Sequence, residues 1–331
     1  MSDQWSEQRL HEVTSSFQEC RILLTAAQLD LFTKLEERPQ TADELCSQQG
    51  WSLRGLTILM DALAAQGILD RSSDGHYSVN SSIKGLLVKG GKDSILPMVL
   101  HRGTMWETWS HLTEIVTTGT NSNRKDILSR PGEDMEAFIG AMHFIGLKMA
   151  KKIATSVDLK LFTRMLDVGG ASGTYTMAFL AKAPHMTATV FDLPGVVEMA
   201  RKRIAEYGLS DRVQVVAGDY TTDELPQGHD LVLLSAVIHS NGRDVNQKLY
   251  AKIHQALAPV GSVLIRDYFL DSTRTSPPDG AMFAVNMLAA TTAGTAYTFE
   301  EVRDDLANAG FKDIRMIRDG DHMNQLVIAA K

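Results

Sequence analysis

The chain has 331 residues, 44% hydrophobic and 22% charged, enough for about two globular domains. Its net charge of −7 at pH 7 argues against broad contact with nucleic acid or an anionic membrane, since both need clustered Lys and Arg. Two cysteines, Cys20 and Cys46, exclude a disulfide framework and a four-cysteine zinc site. The first residues lack the basic and apolar regions of a signal peptide, and no apolar run approaches ~18 residues, so we expect a cytoplasmic protein.

Residues 10–150 are predicted to be mostly helical. Apolar residues recur at helical spacing over residues 17–35, which predicts a helix there. Thr41 and Glu44 form a capping-box pattern that opens a second helix, and Gly50 is expected to close it.

The next stretch completes a winged-helix pattern. Ser52 is the predicted cap of a third helix, Leu53–Gln66, and two short strands are expected on either side of the polar turn 72–76. A winged helix can bind DNA, but Leu53–Gln66 carries only Arg54 and is otherwise largely apolar. Because phosphate contacts need more cations, we expect packing or dimerisation here and not DNA binding.

From residue 163 the pattern changes to alternating strands and helices. Such alternation predicts a parallel sheet with helices on both faces. The chain then ends with a helix capped by Thr298 and Glu301, and with two strands joined by a turn at Asp319-Gly320, which predict an antiparallel hairpin at the sheet edge. The strands predicted within the alternating part are Met165–Val168, Thr187–Phe191, Val213–Val216, Leu231–Val237 and Ser262–Asp267.

Residues 165–175 predict a ligand-binding turn between a strand and a helix. Glycines let a ligand approach the backbone, and a helix N-terminus offers unpaired N–H groups. A dinucleotide would favour the spacing G-x-G-x-x-G, but Thr174 stands where the last glycine should fall, and a P-loop lysine is absent. A ligand that has a ribose and lacks phosphates fits this turn better.

Two acids follow the next two strands. Asp192 ends the second strand of the alternating part, where a carboxylate can accept hydrogen bonds from both ribose hydroxyls. Asp219 comes at the end of the third strand and could accept from an adenine amino group, with Tyr220 stacking on the ring. Both acids are predicted at the carboxyl edge of the sheet, which is where ligands of open α/β sheets bind.

Four segments in this order resemble the S-adenosylmethionine-dependent O-methyltransferases of the plant caffeate type and their bacterial small-molecule relatives. The resemblance covers nearly the whole chain, including the winged-helix part, which forms a homodimer in that family. The segments are Asp167-Val-Gly-Gly-Ala-Ser-Gly, Phe191-Asp-Leu-Pro-Gly-Val-Val, Gly218-Asp-Tyr and Ile238-His239.

The resemblance implies a homodimer with two domains, and S-adenosylmethionine as its cofactor, without a metal. It implies a winged-helix-like dimerisation domain over residues 1–105 and a Rossmann-like class I methyltransferase domain over residues 106–331. Within the latter, residues 106–160 would be a helical linker that contributes to the acceptor pocket. The implied cofactor-binding residues are Gly169, Gly170, Asp192, Leu193, Asp219, Tyr220 and Ser235.

The same resemblance implies a catalytic pair. A His after the fourth strand removes the proton from the acceptor hydroxyl in that family, and an acid at the end of the next strand orients it; here these are His239 and Asp267. A base near the acceptor oxygen makes that oxygen a better nucleophile for displacement at a sulfonium methyl group. A carboxylate on the far imidazole nitrogen fixes the tautomer and stabilises the imidazolium.

Three positions depart from the family's pattern. Ser240-Asn241 follows the His where the family has Asp and then Trp, and Asp267 replaces a Glu. A second acid that usually precedes an Arg-Thr pair is missing, because Ala296 stands near that point. Because fewer acids surround the predicted base than in the family, acceptors that need little or no proton removal also stay possible. A thiolate or a thioether sulfur is such an acceptor.

The resemblance also indicates which residues line the acceptor pocket. Each of them could equally be a core residue, since aromatic and Met side chains at helical spacing usually pack in a core. A polar side chain within an apolar helix, however, caps another group or faces a pocket. The pocket candidates are Trp106, Phe138, Met142, Asn286 and Met287.

We therefore predict methyl transfer to a hydroxyl of a small organic molecule, with no nucleic-acid or membrane partner. The alternatives are S-methylation of a small thiol or thioether, with N- or C-methylation behind it, a ligand-sensing winged-helix regulator, and a cofactor-binding protein that has lost catalysis.

Overall fold

A computed structural model describes residues 5–91, 93–122, 142–143, 146–147, 149–320 and 322–331. The chain divides into two compact units between Glu107 and Thr108. Within the described ranges, no helix is both long enough and apolar enough to cross a membrane.

The first unit contains the predicted helices and wing. Thr41 and Glu44 form a complete capping box at α3, and Gly50 ends that helix in the left-handed region with φ 71°. Strands β1 and β2 pair antiparallel, with Leu69 opposite Val79, and form the two-stranded wing. The elements are α1 (Glu7–Gln28), α2 (Leu31–Glu37), α3 (Ala42–Gln49), α4 (Leu53–Ala65), β1 (Leu69–Arg71) and β2 (Tyr77–Val79), with α5 (Leu96–Ser110) reaching across the division.

The helix predicted over residues 17–35 is wrong as a single element. The chain breaks between α1 and α2, where Asp30 adopts a left-handed conformation with φ 51°. After this break α2 buries Leu31, Phe32 and Leu35 in the core of the first unit. The apolar spacing continues through the break, so it could not reveal the change of direction.

The second unit is built on a mainly parallel sheet, as predicted. In the described residues the strand order is β10-β11-β7-β6-β3-β4-β5, and the five strands from β7 to β5 run parallel to one another. Strand β11 runs antiparallel to β7 and pairs with β10, so the predicted hairpin lies at the edge. The strands of this sheet are β3 (Arg164–Val168), β4 (Thr187–Asp192), β5 (Val213–Ala217), β6 (His229–Ser235), β7 (Leu257–Asp267), β10 (Lys312–Arg318) and β11 (Gln325–Ala330).

Helices cover both faces of this sheet. Because side chains alternate along a strand, Val263 and Ile265 of β7 pack with the helices Arg243–Ala256 and Phe299–Asn308, whereas Leu264 packs on the opposite face with Thr174–Lys182 and Pro194–Glu206. A second, two-stranded sheet joins β8 (Phe269–Leu270) to β9 (Tyr297–Thr298). The helices are α6 (Leu112–Thr118), α7 (Thr174–Lys182), α8 (Pro194–Glu206), α9 (Arg243–Ala256), α10 (Pro278–Ala290) and α11 (Phe299–Asn308).

The strand order determines where a ligand-binding crevice can form. The chain passes from β3 to β4 and β5 on one side, then returns to β6 on the other side of β3. Such a reversal leaves a crevice at the carboxyl ends of the strands, between the connections that leave in opposite directions.

Candidate active site

The turn after β3 has a shape that requires glycine. Gly169 has φ +70°, and a Cβ on Gly170 would lie only 2.8 Å from Cγ of Asp167. The Gly169 N–H donates to the carbonyl oxygen of Phe191 at 2.8 Å, which ties the turn to β4. Gly173, with φ +75°, then leads into α7.

A buried acid lies beneath this turn. Asp167 is 1% exposed, and its Oδ2 accepts a hydrogen bond from Oγ1 of Thr176 at 2.6 Å. Burial raises the pKa of Asp167 to about 6, with Thr176 opposing this shift and the charge of Asp192 adding to it. The sequence offered one signal for this acid, a carboxyl inside an apolar strand.

Asp192 ends β4 and faces the glycine turn. Its Oδ2 accepts from the Ala171 N–H and its Oδ1 from the Leu193 N–H, each at 2.7 Å. Burial raises the pKa of Asp192, and these two hydrogen bonds oppose the shift. A carboxylate has about four acceptor positions, so two backbone donors leave room for two hydroxyl groups.

Asp219 and Tyr220 lie in the loop after β5. Oδ1 of Asp219 accepts from both the N–H and the hydroxyl of Thr221, at 2.8 and 2.7 Å. Its own backbone N–H donates to Oδ2 of Asp223 at 2.8 Å. The Tyr220 hydroxyl lies 3.1 Å from Oδ1 of Asn241, which connects this loop to the segment after β6.

His239 and Asp267 form a buried hydrogen-bonded pair. His239 Nδ1 lies 2.8 Å from Oδ1 and 3.0 Å from Oδ2 of Asp267, with the two residues 8% and 0% exposed. An ionised carboxylate only accepts hydrogen bonds, so Nδ1 carries the hydrogen and Nε2 of the neutral ring is the acceptor. The Tyr268 N–H also donates to Oδ1 of Asp267 at 2.9 Å.

His239 sits on a short 3-10 turn, Ile238–Ser240, and not directly at a strand end. The strand predicted to reach Val237 stops at Ser235, because Ala236 adopts φ 60°. The turn is anchored by Asn246, whose Nδ2 donates to the Ile238 carbonyl at 2.8 Å.

A second set of contacts holds the residues that follow His239. Asn241 donates to Oδ1 of Asn246 at 3.0 Å, and its carbonyl accepts from the Tyr297 hydroxyl at 2.6 Å. A Cβ on Gly294 would collide with the His239 carbonyl oxygen, so this position needs glycine. Ala296 is fully buried beside this network, where it offers no acid.

Aromatic rings flank the pair. The Phe283 ring meets the His239 ring edge-on at 4.8 Å, and the Tyr268 ring lies 4.8 Å from Phe283. Neither ring was predicted from the sequence. Phe283 could have been found from Asn286, since residues three apart on a helix share a face.

Of the predicted pocket residues, Asn286 and Met287 lie on α10. Oδ1 of Asn286 accepts from Nε1 of Trp109 at 3.1 Å, whereas Met287 is buried with 6% exposure. Trp106 belongs to the first unit, where the Arg21 guanidinium lies 5.3 Å from its ring centre.

Two further predicted positions lie before β3. Met142 is half-buried, and Phe138 falls outside the described residues. Next to Met142, Nδ1 of His143 is 2.7 Å from Oγ1 of Thr174, at the start of α7. Burial, and secondarily the charge of Arg203, lowers the pKa of His143 to about 4.

Ser235, at the end of β6, accepts a hydrogen bond from Nη1 of Arg266 at 3.1 Å. Among the described residues, no three His, Cys, Asp or Glu side chains are grouped so that they could hold a metal ion. The structure thus brings Asp192, His239 and Asp267 to one edge of the sheet.

Two parts of the chain match known families. Residues 109–312 match the O-methyltransferase domain, and residues 11–83 match the O-methyltransferase dimerisation domain. These matches confirm the resemblance seen in the sequence.

Curated relatives match over most of their length. The chain is 31% identical over 313 residues to the tetracenomycin polyketide synthesis 8-O-methyl transferase TcmO of Streptomyces glaucescens, covering 92% of this chain and 91% of that protein. It is 32% identical over 315 residues to the 3-hydroxy-5-methyl-1-naphthoate 3-O-methyltransferase of Streptomyces sahachiroi, covering 93% and 90%.

A solved structure shows the same fold. The crystal structure of human N-acetylserotonin methyltransferase in complex with SAM matches with a TM-score of 0.85 and 23% identity, over 100% of this chain and 99% of that chain.

Proposed function

Since the chain belongs to the O-methyltransferase family and is an enzyme that takes its methyl group from S-adenosylmethionine, we propose that it methylates an aromatic hydroxyl of a small molecule. The observation that carries this proposal is the buried His239–Asp267 pair, with Nδ1 and Oδ1 2.8 Å apart. A hydroxyl needs a base to become a good nucleophile, and this pair presents one.

The hydrogen-bond acceptors at the carboxyl edge of the sheet suit an adenosyl ligand. Asp192 keeps acceptor positions for two ribose hydroxyls, and we assign Asp219 and Tyr220 to the adenine. Gly169, Gly170, Leu193 and Ser235 complete the proposed set. When bound, the cofactor supplies an electrophilic methyl group on a sulfonium.

His239 acts as the general base in this proposal. Its Nε2 accepts the hydroxyl proton, and the resulting imidazolium is stabilised by Asp267, which is fully buried. The partner carboxylate also keeps the ring from rotating, since it holds Nδ1 through both oxygens.

The acceptor pocket is proposed around α10. Asn286 donates to the acceptor through its amide hydrogens, because its oxygen is bound to Trp109, while Phe283 and Tyr268 provide flat apolar surfaces that favour an aromatic ring. The two relatives named above are methyltransferases of polyketide and naphthoate oxygens, which supports the same acceptor class. Met287, Met142, Phe138 and Trp106 stay proposed pocket residues.

The match of residues 11–83 to a dimerisation domain supports a homodimer. We propose residues 1–105 as the dimerisation domain and residues 106–331 as the methyltransferase domain. The protein would be cytoplasmic, with no nucleic-acid or membrane partner. Its net charge of −7 at pH 7 argues against both kinds of partner, since they need clustered Lys and Arg.

A methyl-transfer screen tests the acceptor class. Labelled S-adenosylmethionine is offered with matched sets of naphthols, naphthalene thiols, naphthylamines and naphthoic acids. The proposal expects the label on the hydroxyl compounds. Preferred labelling of the thiols or amines would contradict it and would assign the enzyme to S- or N-methylation.

A further inference from the structure

Arg266 is a buried cation at the carboxyl end of β7. It is 8% exposed, and its Nη1 donates to Oγ of Ser235 at 3.1 Å. Its guanidinium carbon lies 4.9 Å from the centre of the Tyr175 ring, in the first turn of α7. Arg266 therefore lies beside the glycine turn that precedes α7.

No acid neutralises this cation in the part of the chain that the structure describes. Its neighbour Asp267 projects to the opposite face of the sheet and pairs with His239. Asp167 shares the face of Arg266, but its side chain accepts a hydrogen bond from Thr176 and forms no ion pair with a described residue. Burial raises the pKa of Tyr175, so this phenol is neutral and is not the missing counter-charge.

The guanidinium also has unused donors. Nε of Arg266 is buried without a hydrogen-bond partner among the described residues. A buried charge that lacks a partner is costly, and a buried unpaired donor adds to this cost. An anionic ligand would remove both costs, and the Nε edge of a guanidinium fits a carboxylate through two parallel hydrogen bonds.

The position of Arg266 indicates which part of a ligand it meets. Asp192 marks the β4 side of the crevice, where the ribose would lie, and His239 follows β6 on the other side. Ser235 and Arg266 are paired across β6 and β7, so they lie beyond β3 on the side away from Asp192. An adenosyl ligand that runs from Asp192 across β3 would reach them with its amino-acid end.

We propose that Arg266 binds the α-carboxylate of the methionyl part of S-adenosylmethionine through Nε and Nη2, with Ser235 and Tyr175 holding the guanidinium in place. This inference rests on the cofactor and is independent of the atom that receives the methyl group. It makes Arg266 a cofactor-binding residue that the sequence analysis did not identify.

A binding cycle tests the proposal without turnover. Calorimetry compares S-adenosylhomocysteine with 5′-deoxy-5′-(3-aminopropylthio)adenosine, which lacks only the carboxylate, on the wild-type protein and on Arg266→Met. The wild type should bind the decarboxylated ligand about 10- to 100-fold more weakly. Arg266→Met should lose the same factor for S-adenosylhomocysteine and bind the two ligands about equally.

Arg164→Met is the matched control, because it removes an arginine from the amino end of β3, at the opposite edge of the same sheet. It should leave both affinities unchanged. A purely structural role of Arg266 would instead lower the affinity of Arg266→Met for both ligands by the same factor. That result would overturn the proposal. It is also overturned if this variant raises only the KM of the acceptor.

A second variant that retains the charge tests the proposal if Arg266→Met does not fold. Arg266→Lys keeps a cation but loses the two-pronged geometry, so it should weaken S-adenosylhomocysteine by an intermediate factor and leave the decarboxylated ligand unchanged. Equal binding of the two ligands by the wild-type protein would overturn the proposal without any variant.

Discussion

The hydrogen bond from Trp109 determines which way the Asn286 amide points. The indole N–H can only donate, so the Asn286 atom at 3.1 Å from Nε1 must be the amide oxygen. The Asn286 amide hydrogens consequently point elsewhere, and they are the donors that we assign to the acceptor.

Trp109→Phe should therefore raise the KM for a hydroxyl acceptor by about 2- to 10-fold, since one neutral hydrogen bond is lost and the amide can rotate. The affinity for S-adenosylhomocysteine should stay the same. Steady-state kinetics and calorimetry measure the two effects, with Trp51→Phe in the first unit as the control. An unchanged KM would show that Trp109 does not position Asn286.

Asp167 makes stability depend on pH. Its folded-state pKa of about 6 lies above the ordinary value of 3.8, so the folded protein holds this proton more tightly than the unfolded chain. The resulting stabilisation is complete below pH ~4 and is lost as the pH rises through about 6.

Asp167→Asn keeps an oxygen acceptor for Thr176 and removes this titration. The free energy of unfolding of the variant relative to the wild type should rise by about 2 kcal/mol between pH 4 and pH 7, out of about 3 kcal/mol for the full shift of two pKa units. Urea unfolding of the ligand-free protein at several pH values measures it, with the exposed Asp211→Asn as control. Parallel pH profiles for wild type and Asp167→Asn would refute the assignment.

The sequence identified individual residues where a strand end is followed by an unusual acid or base. Asp192 came from this signal, whereas His239 and Asp267 came from the family resemblance. Arg266 was not identified, because the sequence does not show that its side chain is buried or that the neighbouring Asp267 pairs with His239.

Among the elements, the 3-10 turn Ile238–Ser240 determines where the base lies. The sequence predicted the strand to continue through Val237, since its apolar run does not stop at Ser235. The turn depends on contacts from distant segments, including Gly294, whose missing side chain makes room for the His239 carbonyl. Local spacing could not reveal contacts of this kind.

Gly294→Ala should displace this turn and lower methyl-transfer activity at least about 10-fold, since a small misplacement of a catalytic group costs much of its effect. Gly55→Ala in α4 is the matched control, because its Cβ would make only ordinary contacts with Ser52 at 3.6 Å. Activity and thermal unfolding of both variants are measured. Full activity of Gly294→Ala would contradict the close approach that the structure gives.

At the scale of the whole molecule, the alternation of strands and helices predicted a parallel sheet, and the sheet is present. The strand order that places β6 beside β3 was not predicted, because spacing along the chain does not show on which side a strand returns. The position of the crevice, and hence the meeting of Asp192 with His239, depends on that order.

The first half of α1 is exposed, although it carries an apolar stripe. Leu10, Val13 and Phe17 are 54%, 43% and 55% exposed and share one helix face by their spacing. In a chain that matches a dimerisation domain from residue 11, we expect a second copy to cover this stripe.

Phe17→Asp should therefore convert the dimer to a monomer of 36.4 kDa at micromolar concentration, because it places a charge in an apolar interface. Light scattering gives the mass, and Gln18→Asp adds the same side chain beside the stripe as a control. A dimer that persists in Phe17→Asp would place the interface elsewhere, and a monomeric wild type would refute the homodimer.

The most direct test of the account is the single-turnover rate of methyl transfer from labelled S-adenosylmethionine to a naphthol, compared between wild type and His239→Gln. Glutamine preserves much of the size of His239 but cannot act as a general base near neutral pH. We predict that His239→Gln transfers the methyl group about 100- to 10,000-fold more slowly, with the affinity for S-adenosylhomocysteine unchanged. A rate equal to that of the wild type would contradict the general-base role of His239.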